Sequence, residues 1–180
     1  MARVIRRLAA LVALAIALVA CSDDKGPDRV DPVAWAEQVC KSVEGQSAIL
    51  SQTPTTDTGD PAKAKQNLLT YLGNLSAGLD KLAGGVKDAG TPKVNDGNQV
   101  VEKVTRTLKD AKQGVEVAKT NLDKATVTDT ASFQAARDKV AEDLGKLSDL
   151  EDPTKDLKAN AELNDAFNKA PTCKRLDQAP

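Results

Sequence analysis

The 180-residue chain contains no histidine. That absence removes the usual neutral-pH general base, the Ser/His and Cys/His nucleophilic pairs, the imidazole metal ligand and the His-ligated haem. Aromatic residues are nearly as scarce, with only Trp35, Tyr71, Phe133 and Phe167. Strands favour aromatic and β-branched residues on their pleated faces, so the shortage weighs against an all-β fold, and no alternating strand pattern is present. Neither sign of charge dominates, with 25 Lys+Arg against 26 Asp+Glu, and 41% of residues are hydrophobic. This is the balance of one folded domain rather than of a disordered tail. The one long apolar run, Leu8 to Ala20, would span only about 20 Å as a helix, against about 30 Å of hydrocarbon.

That run follows Arg3, Arg6 and Arg7, the charge-then-hydrophobe layout of a secretory signal. It ends in Leu18-Val19-Ala20-Cys21, which resembles the lipobox of bacterial lipoproteins, in which the cysteine is acylated and becomes the new N-terminus. The implied organisation is a signal peptide over 1–20, a lipidated flexible tether over 21–30 (SDDKGPDRV after Cys21), and a helical domain over 31–180. Cysteine parity points the same way, since acylating Cys21 leaves an even pair, Cys40 and Cys173. We read these as a disulfide closing a very long loop; the alternative is two reduced cysteines in a helical core. Losing residues 1–20 removes three Arg and no acid, leaving 22 basic and 26 acidic residues and a net charge of −4. Such a chain is not a nucleic-acid binder by charge.

Helix starts are written in cap chemistry. Asp31-Pro32 and Asp60-Pro61 each pair a side-chain acceptor with a proline that needs no N–H partner. The first predicts a helix to about Gln52, with Ala36, Val39, Cys40, Val43, Ser47 and Leu50 on one face, and the second a helix to about Ala89. Along the second, Leu68, Leu72, Leu75, Leu79, Leu82 and Val86 keep a heptad rhythm that Gly90 and Pro92 stop. A third helix is expected from about Lys93 to Ala125, and a fourth from Thr128 or Asp129 with Phe133, Ala136, Val140, Leu144 and Leu147 in its stripe. Asp152-Pro153 caps a shorter fifth helix or marks a kink. Short connections make successive helices antiparallel, so the expected fold is all-α: an up-and-down four-helix bundle with a short fifth C-terminal helix.

Few residues suggest chemistry. Residues 61–125 hold 11 basic and 7 acidic side chains, which reads as complementary packing plus surface pairs such as Glu102 with Arg106 and Glu142 with Lys146, or else as a surface for an anionic partner. The acids Glu142, Asp143, Asp149, Glu151 and Asp152 lack the alternating ligands and glycine of a calcium loop, so they read as a solvated helix end. Trp35 either seals the bundle end or faces a membrane interface. Gly73, Ser76, Ala77, Gly78, Gly84 and Gly85 could leave space between helices for a lipid or other apolar ligand.

Together, the lipobox at Cys21, the segment AWAEQVC at 34–40, the stretch AGTPKVNDGNQV at 89–100 and Cys173 resemble a family of small secreted lipoproteins from high-GC Gram-positive (actinobacterial) bacteria. Where such proteins often have Asp directly before the tryptophan, this chain has Ala34. The resemblance supplies no catalytic residues. The expectation is therefore a palmitate-bearing, monomeric, non-enzymatic lipoprotein with no metal or cofactor. It would sit on the extracytoplasmic face of the cell membrane through the diacylglyceryl group on Cys21, with a binding or structural role toward an unidentified envelope partner. Carriage of an apolar ligand is the alternative.

Overall fold

A computed structural model describes residues 29–56, 59–150, 157 and 159–178. The chain is all-α. Helix α1 (Pro32–Leu50) begins where the Asp31 carboxylate accepts from the backbone N–H groups of Val33 and Ala34, both at 3.0 Å. Helix α2 (Pro61–Asp88) repeats the device, with Asp60 accepting from Ala62 at 2.9 Å and Lys63 at 3.1 Å. It stops at Gly90, whose positive φ of 76° carries the chain away without a Cβ penalty.

The third helix starts later than expected. Thr91–Pro92 forms a short strand (β2) that pairs in parallel with Arg29–Val30 (β1), in register Arg29 with Thr91 and Val30 with Pro92. Lys93 then donates its backbone N–H to the Val30 carbonyl at 2.8 Å, and Asp96 turns the chain at φ 60° before α3 (Gly97–Lys124) begins. The tether assigned to 21–30 is corrected accordingly: Arg29 and Val30 belong to the folded domain. Helix α4 (Thr130–Gly145) opens on a capping box. Asp129 accepts from the Ser132 N–H at 2.8 Å while the Ser132 hydroxyl accepts from the Asp129 N–H at 3.0 Å. A 3₁₀ turn, Lys146–Asp149, follows.

The Asp152-Pro153 cap lies outside the described residues. Beyond it, where a single short helix was expected, the residues described from Asn160 onward form two: α5 (Ala161–Lys169), capped by Asn160, and α6 (Pro171–Asp177). The break is physical. Proline has no N–H to continue α5 and disfavours helical backbone in the residue before it, and buried Ala170 is extended at ψ 124°.

Helices α2 and α3 form a long antiparallel hairpin. Lys65 reaches the carbonyls of Asp123 and Ala125 at its open end, each at 2.8 Å, and Lys112 meets Asp80 at 2.7 Å further along. The core is divided between the two halves of this hairpin. At the closed end, Trp35, Ala36, Val39 and Cys40 of α1 pack with Val86, Val100, Val104, Leu163 and Ala166. At the open end, Leu68, Leu72, Val115, Ala118 and Leu122 pack against Ala136 and Val140 of α4. The stripe predicted for α1 fades with distance from the first cluster, so that Ser47 is exposed and Leu50 is 36% exposed.

Candidate functional site

Cys21 lies outside the described residues. Cys40 and Cys173 are brought together as a disulfide with Cα atoms 5.2 Å apart, although 133 positions separate them. A polar seam runs beside it between α1 and α6. The Glu37 carboxylate accepts from the Thr172 N–H at 2.9 Å and its hydroxyl at 2.7 Å, and Arg175 grips Glu44 at 3.0 Å. Those Thr172 donors, the backbone one foremost, hold the Glu37 carboxyl below its ordinary range. Trp35 seals this end of the molecule rather than facing outward. It is fully buried, donates its indole N–H to the Gly90 carbonyl at 2.9 Å, and meets Phe167 edge to face at 5.9 Å.

Glu142 and Asp143 are engaged with cations. Asp143 is buried and accepts from the Asn121 amide at 2.7 Å and from Lys146 at 3.0 Å. The Asn121 hydrogen bond first, then Lys146, pull its pKa down to about 2 against the cost of burial. Glu142 is shared between Lys139 at 2.8 Å and Lys146 at 3.4 Å. Glu151 and Asp152 lie outside the described residues. Among the described residues no group of three or more Cys, Asp and Glu could hold a metal ion.

The small residues of α2 serve two different ends. A Cβ on Gly85 would lie 2.2 Å from the Ser42 hydroxyl oxygen, so glycine there lets α1 and α2 approach closely, whereas a Cβ on Gly78 would make ordinary contact with Ile49 at 3.5 Å. Gly84 points elsewhere, and nothing lies within 4 Å of where its Cβ would sit. Between α2 and α3 is an open groove of about 330 Å³ lined by Lys87, Val101, Glu102, Thr105, Arg106 and Lys109.

No protein-family model, curated protein or solved structure matches the chain.

Of the groove residues, the sequence singled out Glu102 and Arg106 as a pair but not Lys87, Thr105 or Lys109. The Glu102–Arg106 pair expected from helical spacing does not form, whereas Glu142–Lys146 does; Arg106, Lys87 and Lys109 make no ion pair among the described residues. Between them, Thr105 is 6% exposed and its buried hydroxyl has no hydrogen-bond partner. Two other helical threonines return their hydroxyls to their own backbone: Thr70 donates to Gln66 O at 2.9 Å and Thr107 to Lys103 O at 3.1 Å. A threonine at the edge of the Val101, Val104, Leu108 stripe was the available signal. Its significance depends on Lys87, which another helix supplies.

Proposed function

We propose that this chain is a lipid-anchored lipoprotein of the extracytoplasmic cell envelope. Its helical domain acts as a non-enzymatic, monomeric binding module of the actinobacterial lipoprotein family it resembles. The supporting observation is the cysteine count. With Cys40 and Cys173 paired across the fold, Cys21 is the cysteine left over, and it stands directly after Leu18-Val19-Ala20. The scaffold that goes with this reading is an up-and-down arrangement of α1 to α4, supported by the antiparallel course of the α2–α3 hairpin and by α4 folding back on α3 through the Asn121–Asp143 contact. Arg29 is eight positions after Cys21, at most about 28 Å of extended chain, so a bilayer holding Cys21 also holds the β1–β2 end nearby. No helix among the described residues is long and apolar enough to cross a membrane, which leaves the acyl group as the attachment in this reading. Cell fractionation tests it. Cys21→Ala should move the protein from the membrane to the aqueous fraction, and retention of a cleaved Cys21→Ala chain in the membrane fraction overturns the anchor.

A further inference from the structure

Of the residues lining the α2–α3 groove, three are cations and one, Glu102, is an anion. The cations come from both walls, with Lys87 on α2 and Arg106 and Lys109 on α3. Glu102 and nearby Asp80 offset only part of this charge; like charges brought this close repel one another, and an oxyanion relieves the remaining repulsion. Lys87 and Lys109 supply part of the field that lowers the pKa of nearby Asp80, behind the larger effect of Lys112. A buried hydroxyl without a partner is a second, independent cost, and it is removed when the hydroxyl donates to a ligand oxygen. Arg106 adds a planar fork of donors that matches phosphate oxygens two at a time. Glu102 cannot bind an anion, but it accepts from a hydroxyl.

From this juxtaposition we infer that the groove binds a phosphate ester of a polyol. Lys87, Arg106 and Lys109 hold the phosphoryl oxygens, the Thr105 hydroxyl donates to one of them, and Glu102 accepts from a polyol hydroxyl. About 330 Å³ accommodates a group of glycerol-phosphate size with its water. The ligand has two possible sources, a free polyol phosphate or the headgroup of a phospholipid. The headgroup source rests on the lipid-anchored reading above; the free source does not. Lys87 lies only four residues before Thr91, the partner of Arg29 in the β pair, so the groove adjoins the end that an anchor would hold to the bilayer.

Isothermal titration of the full chain, purified in a neutral detergent, tests the site with two probes: free glycerol 1-phosphate, and the same micelles doped with phosphatidylglycerol. Saturable binding of glycerol 1-phosphate supports a free ligand, and saturation by phosphatidylglycerol alone supports a headgroup. In either case Lys87→Gln combined with Lys109→Gln should raise the Kd about tenfold or more, as expected from losing charge-assisted contacts. Thr105→Val should raise the Kd several-fold while leaving the melting temperature unchanged or higher, because it deletes an unpartnered buried hydroxyl. The inference is overturned if neither probe saturates, or if the double variant binds like the parent. It is equally overturned if Lys63→Gln with Lys124→Gln, remote from the groove, weakens binding as much. None of these titrations depends on Cys21, so failure of the anchor is read separately by fractionation.

Discussion

The two ends of the α2–α3 hairpin are built by opposite strategies. The closed end gathers residues from segments far apart in the chain: Val30, Trp35 and Cys40, then Val86 to Val104, then Leu163 to Cys173. The open end uses α2, α3 and α4 in immediate succession, with Asp129 and Ser132 setting the turn between the last two. Bringing distant segments together costs more chain entropy than folding neighbours back. The disulfide stands at the distant-contact end, while the local end is held by caps, apolar packing and the Asp143 contacts. Covalent reinforcement sits where loop closure is most expensive.

The largest break in this comparison comes from the cross-link. In the chain-entropy model, closing a loop of 133 residues is worth about 5 kcal/mol, so reduction or Cys173→Ser should lower the melting temperature by on the order of 10 °C. Hydrogen exchange should show α1, α5 and α6 losing protection before α4; simultaneous loss at both ends would erase the distinction. Leu122→Ala is the converse experiment. Leu122 is 1% exposed in the open-end core, and truncation should cost about 3 kcal/mol, with protection lost first in α4 while Trp35 stays buried by fluorescence. Asp129→Ala removes the capping box and should cost about 1 kcal/mol by denaturant titration, confined to the same end.

The finest contrast is with pH. Asp143 has a folded-state pKa of about 2, below its ordinary value of 3.8. Its stabilising contribution is therefore complete above pH 4 and is lost as pH falls toward 2. The carboxylates of Glu142 and Asp129 are shifted in the same direction, Glu142 chiefly by Lys139 and Asp129 chiefly by the Ser132 N–H, so acid should loosen the open end. Asp143→Asn should flatten the stability curve between pH 4 and 2, and an unchanged acid limb in that variant would show that Asp143 is not the group responsible.

What could be read from the sequence follows the same division. The caps at Asp31, Asp60 and Asp129 and the stop at Gly90 are each decided within about four residues, and each is found where it was expected. The cysteine pair was legible by parity rather than by spacing. The β1–β2 pairing was not legible, because Arg29 and Val30 carry no strand signal until Thr91 and Pro92 lie beside them. The delayed start of α3 follows from the same pairing. The break between α5 and α6 was written in Pro171, which lacks the preceding aspartate that marks the starts at Pro32 and Pro61. The groove stayed hidden for a tertiary reason. Helical spacing offers Arg106 a partner in Glu102, and only the folded hairpin shows Arg106 in a shared groove with Lys87 and Lys109.

The disulfide also changes how the chain carries tension. Pulled by its two ends, the oxidised protein transmits force from Arg29 along the first turns of α1 to Cys40, across to Cys173 and out through α6. That route has a contour length of about 60 Å even when fully drawn out, against roughly 500 Å for the reduced chain. Residues 41–172 hang from it as an unloaded loop, so the open end of the hairpin keeps its fold under a pull that opens the closed end.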